Sequence, residues 1–391
     1  MIKFKYFNQL FKVVVFATFY CCQAQSQESL KIMTGAERMN SYLHLLEGKN
    51  VALLVNHTSL VNGVHLLDTL LSHNIKVTKI FAPEHGFRGN LANGERVFDD
   101  RDEKTGLPLV SLYGKNKKPT SEQLNNIDIV IYDIQDVGAR FYTYISSMHH
   151  MMAACAEQEV SMLILDRPNP NAHYIDGPVL EEAHASFVGV HPIPVVYGMT
   201  IGELALMIKG EHWIDWNDNF DLKIVKLKNW THDSSYNLPV PPSPNLPNSN
   251  SIAWYPSLCL FEGTDISMGR GTEFPFEAVG YPDPAFGSFE FTPKSIEGVS
   301  KYPPHKNKIC YGYDLRSFTP QNQLDLSYLI KYYNLSKNKR EYFNAFFTNL
   351  SGTKKLRKQI EEGLNEEEIR ATWQEDLAFF KLKREQYLIY E

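Results

Sequence analysis

The chain has 391 residues, 43% hydrophobic and 21% charged, with 39 Lys and Arg against 45 Asp and Glu for a net charge of −6. These proportions exclude a disordered chain, a collagen-like repeat and a disulfide-dense mini-protein, and the length suits two domains with large cores. A pI near 6 lacks the basic excess that marks a nucleic-acid binder.

The N-terminus reads as an address. Lys3, Lys5 and Lys12 precede the apolar run 13–20, and Cys22-Gln23-Ala24 supplies small residues at the −3 and −1 positions of a cleavage site. That order is a signal peptide over residues 1–24, and its apolar run is too short to span a membrane. An alternative is lipidation at Cys21 or Cys22. Removing residues 1–24 leaves 36 basic against 45 acidic residues, net −9, as suits an anionic protein of the periplasm. Cys155, Cys259 and Cys310 then remain, so at most one intrachain disulfide can form. Cys155 lies in an apolar helical stretch and reads as a buried thiol.

Four β-rich runs follow, at 51–55, 77–81, 127–132 and 160–165. They are nearly continuously apolar, as strands covered on both faces should be. Helical patterns lie between them: the Leu66, Leu67, Leu70, Leu71 stripe, the stretch 141–158, and capping boxes at Thr120–Gln123 and Thr200–Glu203. Alternating strands and helices predict a doubly wound, parallel α/β sheet. The segment 238–247 carries five prolines and is a linker or a rigid wall; a second, smaller α/β domain is placed at 238–391, closing with helices near 323–334, 354–363 and 366–389. The first domain is then 25–237. No internal repeat is visible.

Each apolar run ends in polar residues: Asn56-His57-Thr58, Pro83-Glu84-His85-Gly86, Asp133-Ile134-Gln135-Asp136 and Asp166-Arg167-Pro168-Asn169. Open α/β sheets bind ligands beyond the carboxyl ends of their strands, so the four clusters are expected to converge on one crevice. Glu84 sits among Phe81, Pro83 and Phe87, where desolvation would favour a general acid, although His85 and Arg88 oppose that shift. Asp133, Asp136 and Arg140 suit a sugar hydroxyl, a metal, or simply an internal ion pair. The segment 261–277 adds Glu262 and Arg270, with Gly269 and Gly271 expected to admit a close ligand. No P-loop, dinucleotide fingerprint, serine elbow, Cys-x-x-Cys or His-Glu-x-x-His occurs. The adjacent His149 and His150 read as surface or core histidines rather than ligands.

The ordered motifs Val-Asn-His-Thr, Pro-Glu-His-Gly-Phe-Arg-Gly, Thr-Gly-Leu-Pro-Leu-Val-Ser-Leu-Tyr-Gly, Asp-Ile-Gln-Asp-Val-Gly-Ala-Arg-Phe-Tyr-Thr-Tyr, Asp-Arg-Pro-Asn-Pro, Gly-Met-Thr-Ile-Gly-Glu-Leu-Ala, Pro-Ser-Pro-Asn-Leu-Pro and Phe-Glu-Gly-Thr-Asp-Ile-Ser-Met-Gly-Arg-Gly resemble the bacterial exo-β-N-acetylmuramidase family, formerly a domain of unknown function. The resemblance runs from about residue 32 to 391. It implies a Rossmann-like domain packed on a smaller C-terminal domain with the site between them, and release of N-acetylmuramic acid from the non-reducing end of peptidoglycan fragments. It also matches the family's proposed catalytic Glu to Glu84. The chain departs from the family pattern at Asn171-Ala172-His173-Tyr174 and Gly280-Tyr281-Pro282-Asp283, differences expected to reshape the sugar pocket.

Such a substrate carries a lactyl carboxylate, for which Arg88, Arg140, Arg167 and Arg270 are the candidate cations. Asn56, His57, His85, Tyr142, Asp166, Asn169, Ser243 and Asn245 complete the expected sugar contacts. With Glu84 as acid, the second role falls to Asp133, Asp136, Glu262 or the substrate's own acetamido group. Neither cofactor nor metal is expected, nor a nucleic-acid partner or membrane span. Two rival readings are a periplasmic sugar- or muropeptide-binding protein without turnover, and a metal-assisted hydrolase using His57, Asp133 and Asp166.

Overall fold

The apolar runs form strands because alternate side chains of each find cover on opposite faces. In β1 (Val51–Val55), Ala52 and Leu54 join one core, while Val51, Leu53 and Val55 join the other. The same alternation holds in β5 (Ile129–Asp133) and β6 (Ser161–Leu165). Helix α1 (Leu66–Ser72) covers the second face, the short α2 (Ser121–Leu124) precedes β5, and α3 (Tyr144–Glu157) and α4 (Ile201–Gly210) cover the first face. Each fully buried aliphatic side chain there contributes about 1.5–3 kcal/mol, which is what holds so short a set of strands together. This computed structural model describes residues 30–84, 86–87 and 100–391, and residues 32–391 form one compact unit. The leader reading at 1–24, and His85 and Arg88, lie outside the described residues.

The remaining strands of the central sheet are β2 (Val77–Ala82), β3 (Asp100–Arg101), β4 (Pro108–Ser111) and β7 (Leu222–Val225). Their order is β3-β4-β2-β1-β5-β6-β7, with every pairing parallel except β3 against β4. Counting the parallel strands alone, the order is that of a doubly wound dinucleotide-type sheet, and it reverses between β1 and β5. In-register pairing of Val51 with Ile129 through Val55 with Asp133 sets the ends of β1 and β5 side by side at that switch point.

The second half contributes an antiparallel sheet, β8 (Ala278–Tyr281), β9 (Phe289–Phe291) and β10 (Cys310–Asp314), in the order β8-β10-β9. Its helices are α5 (Ser249–Leu258), Ser327–Leu335, Phe346–Ser351, Lys355–Glu361, Glu366–Ala371 and Gln374–Glu385. The single helix expected over 366–389 is therefore two. Helix α5 was not expected, because Pro256 lies inside it. A proline there removes the donor for the Ile252 carbonyl one turn back. Asn171 Nδ2 replaces it, donating to that carbonyl at 3.3 Å. The proline-rich segment is a wall: His57 Nε2 donates to the Pro241 carbonyl at 2.8 Å and Tyr142 Oη to that of Pro242 at 2.9 Å. Cys155, Cys259 and Cys310 are free and buried.

Candidate active site

A cavity of about 320 Å³ opens above the carboxyl ends of the strands. Glu84 comes from the turn after β2, Tyr113 from the turn after β4, Phe141–Tyr144 from the segment after β5, Phe187 and Val188 from beyond β6, and Ser243, Asn245 and Leu246 from beyond β7. Tyr255, Cys259, Glu262, Arg270 and Phe276 close it from the second half of the chain. The volume suits a sugar unit, and the lining mixes aromatic faces with a few convergent polar groups, as ligand sites do.

Glu84 is half-buried at this cavity, and both its oxygens accept hydrogen bonds. Tyr113 Oη donates to Oε1 at 2.8 Å and Thr143 Oγ1 to Oε2 at 3.1 Å. Burial, the Glu84 charge and this bond all push the Tyr113 phenol up, so it remains a donor at neutral pH. A hydroxyl can donate or accept, so both partners can hold the carboxyl in either protonation state. Neither Tyr113 nor Thr143 was singled out from sequence. The signal for Tyr113 was a short strand ending at Ser111, masked by Pro108 at its start; Pro108 is tolerated there because it begins the strand.

Across the cavity, Glu262 and Arg270 form a pair, with Arg270 Nη2 at 2.5 Å and Nε at 3.1 Å from the same oxygen, Oε1. Arg270 also lies 5.0 Å from the centre of the Phe276 ring. Phe276 holds a φ of 58°, a strained value for a bulky residue, while its ring packs edge-on against Tyr255. Gly269 and Gly271 differ from expectation. Their φ values are 81° and 82°, and a Cβ would strike the Phe274 and Lys294 carbonyls respectively. Chain packing, rather than ligand approach, requires glycine at both positions.

Of the other residues singled out from sequence, Tyr142, Ser243 and Asn245 line the cavity, whereas Asn56, His57, Asp133, Asp136, Arg140, Asp166, Arg167 and Asn169 do not. Asp133 is wholly buried and held by Arg167, whose Nε and Nη2 donate at 2.5 and 2.9 Å. Asn56 Oδ1 accepts from the Thr58 amide and hydroxyl. Asn169 donates to the Met199 carbonyl and receives the Asn171 amide. Asp166 receives the Gly202 amide at 2.8 Å, the Thr200 hydroxyl at 2.7 Å and the Tyr390 hydroxyl at 2.6 Å. It thus serves the N-terminus of α4, and Gly202 is required because a Cβ there would sit 2.7 Å from Asp166 Oδ2. Among the described residues Arg140 has no carboxylate partner. It donates to the Pro178, Ile193 and Leu350 carbonyls at 2.7, 2.7 and 3.0 Å, and burial pulls its guanidinium down to about 9. His149 Nδ1 lies 3.1 Å from His191 Nε2, and burial lowers His149 to about 4, so it is neutral at pH 7. Apart from Glu84, these strand-end polar residues are thus spent on the fold, and the cavity is lined by residues further along the chain, among them Tyr113, Phe141–Tyr144 and the second-half residues Tyr255, Glu262 and Arg270.

Asp136 gives a pH prediction. It accepts from the Gly138 amide at 2.6 Å and from Tyr197, and burial raises its carboxyl to about 6 despite those bonds. The folded chain therefore holds a proton that the unfolded chain releases near pH 4. Stability drawn from this group is largest below that value and falls as pH rises towards 6. Asp136→Asn removes the dependence. Urea unfolding at pH 4.5 and 6.5 should show the variant gaining on the parent as pH rises; a pH-independent difference between the two would contradict this.

Residues 51–250 match the family model described as "Exo-beta-N-acetylmuramidase NamZ, N-terminal", and residues 253–390 match its C-terminal counterpart. The chain belongs to the NamZ exo-β-N-acetylmuramidase family. It is 40% identical to the peptidoglycan β-N-acetylmuramidase NamZ of Bacillus subtilis (strain 168), over 94% of this chain and 93% of that protein. Two crystal structures of DUF1343 family proteins from Bacteroides fragilis NCTC 9343 share its fold. One has a TM-score of 0.85 at 46% identity, covering 93% of this chain and 99% of the other. The second has a TM-score of 0.80 at 28% identity, covering 92% and 99%. Membership of the NamZ family makes the chain a glycosidase. The two departures from the NamZ pattern lie away from the cavity: Ala172 packs with Leu227 and Trp230, and Tyr281–Asp283 line a separate groove.

Proposed function

We infer that this glycosidase is exo-acting and releases N-acetylmuramic acid from the non-reducing end of peptidoglycan fragments, with Glu84 as the general acid. One observation carries the reading: a carboxyl projects into a sugar-sized cavity at the strand ends, fixed by one hydroxyl on each oxygen. Glycoside hydrolysis requires a proton on the departing oxygen, and a positioned carboxyl supplies it. Among Asp133, Asp136 and Glu262, the last reaches the cavity, while both aspartates are committed to internal partners. We assign Glu262 to the second half-site and Arg270 to the lactyl carboxylate of the sugar. Arg270 retains nitrogen donors beyond those given to Glu262, and the planar fork of Arg matches a carboxylate. The chain is divided into a catalytic portion at 25–237 and an auxiliary portion at 238–391, and it is exported to the periplasm after loss of residues 1–24.

The test is incubation with a disaccharide capped by N-acetylmuramic acid, read by mass analysis. Free N-acetylmuramic acid is expected, and an intact disaccharide counts against the reading. Arg270→Met should raise KM for the muramyl substrate roughly 10- to 100-fold, the worth of a charged hydrogen bond. An unchanged KM would remove Arg270 from recognition.

A further inference from the structure

Between β9 and β10 the chain makes an excursion over residues 292–309. It carries Lys294, Lys301, Lys306 and Lys308 against Glu297 as its one acid, within a chain of net charge −6. All four lysines are exposed, and none forms an ion pair among the described residues. Tyr302 stands 80% exposed, with Lys301 Nζ and Lys306 Nζ at 5.8 and 6.0 Å from its ring centre. Scattered surface lysines need no explanation, but this set is held in an ordered frame. The Asn307 amide donates to the Pro293 carbonyl at 2.8 Å, Ser295 Oγ to that of Lys301 at 2.9 Å, and Ile296 bridges Ser300.

The frame is fastened to the wall of the cavity. Asn245, which lines it, donates through Nδ2 to the Val299 carbonyl at 2.9 Å. The Lys294 amide donates to the carbonyl of Gly271, the neighbour of Arg270, at 2.8 Å, and Pro303 packs over the same glycine. A basic, aromatic-tipped segment is therefore anchored by its backbone to residues of the cavity wall and to the neighbour of Arg270.

We propose that residues 292–309 are a docking surface for polymeric peptidoglycan. The four lysines face the carboxylates of its stem peptides, and Tyr302 lies against the apolar face of a glycan ring. The proposal rests on the peptidoglycan reading above and extends it from the terminal sugar to the strand behind it. Each exposed charge pair is worth little alone, but several of one sign steer an anionic polymer and raise encounter rates about 10-fold or more at low salt. The effect fades as the Debye length shrinks to about 8 Å at physiological ionic strength.

The experiment compares the parent with Lys301→Glu/Lys306→Glu and with Lys301→Arg/Lys306→Arg, using co-sedimentation with purified sacculi and turnover of a small muramide. The charge-reversed variant should bind sacculi about 10-fold more weakly at low salt, with kcat/KM on the small substrate within two-fold of the parent. The arginine variant should bind like the parent, and sacculi stripped of stem peptides should bind the parent as weakly as intact sacculi bind the reversed variant. Equal retention of parent and reversed variant, or undiminished binding to stripped sacculi, overturns the proposal. Failure of the parent to cleave the small muramide strikes the functional reading instead, because sedimentation is measured independently of turnover.

Discussion

Glu84→Gln should lower kcat on a muramyl disaccharide by 10²- to 10⁴-fold, the range a positioned proton donor contributes. The amide keeps the volume of the side chain and can still accept from Tyr113 or Thr143 through its one oxygen, so the cavity should persist. What it cannot do is deliver a proton to the departing sugar oxygen. The loss should therefore fall on kcat, with KM within a few-fold of the parent, the pattern of an interaction made in the transition state. Equal loss in kcat and in ligand affinity would instead mark Glu84 as a binding group. A substrate whose leaving group needs no proton, such as an activated aryl glycoside, should recover part of the lost rate.

Arg167→Leu should destabilise the fold by about 3–5 kcal/mol, the cost of leaving a buried charge without its partner. Asp133 ends β5 with no solvent exposure, and the guanidinium of Arg167, just beyond β6, meets both its oxygens while also donating to the Leu60 carbonyl at 3.2 Å. The pair thus closes the switch point beneath the cavity from three loops. Replacing both partners, in Asp133→Leu/Arg167→Leu, should cost less than the single change, because no lone charge remains. Urea unfolding of the parent, both single variants and the double variant measures this directly. Additive losses would show that the two side chains do not act together.

The central strands were legible because burial on both faces leaves a plain mark, a run of consecutive apolar residues such as those of β1 and β6. β7 was not, because Lys223 interrupts a short strand at the sheet edge. The site was legible in one residue above all: Glu84 directly follows a strong apolar strand and stands in the ordered motif Pro-Glu-His-Gly-Phe-Arg-Gly. Asp133 and Asp166 occupy equivalent strand-end positions and looked alike in sequence. Their partners come from afar, Arg167 at 34 residues' separation for the first and Tyr390 at 224 for the second. No local pattern records such distances. Tyr113, Tyr255 and Phe276 were hidden for a related reason, since each reaches the cavity only through folding of a proline-bearing or strained segment.

The most direct test of the account is the structure of the Glu84→Gln protein soaked with an N-acetylmuramic-acid-capped disaccharide. The muramyl ring should fill the cavity between Thr143 and Arg270, with the side-chain amide at position 84 within about 2.6–3.2 Å of the glycosidic oxygen. A sugar bound elsewhere on the molecule, or one seated in the cavity with that oxygen turned away from position 84, would contradict it.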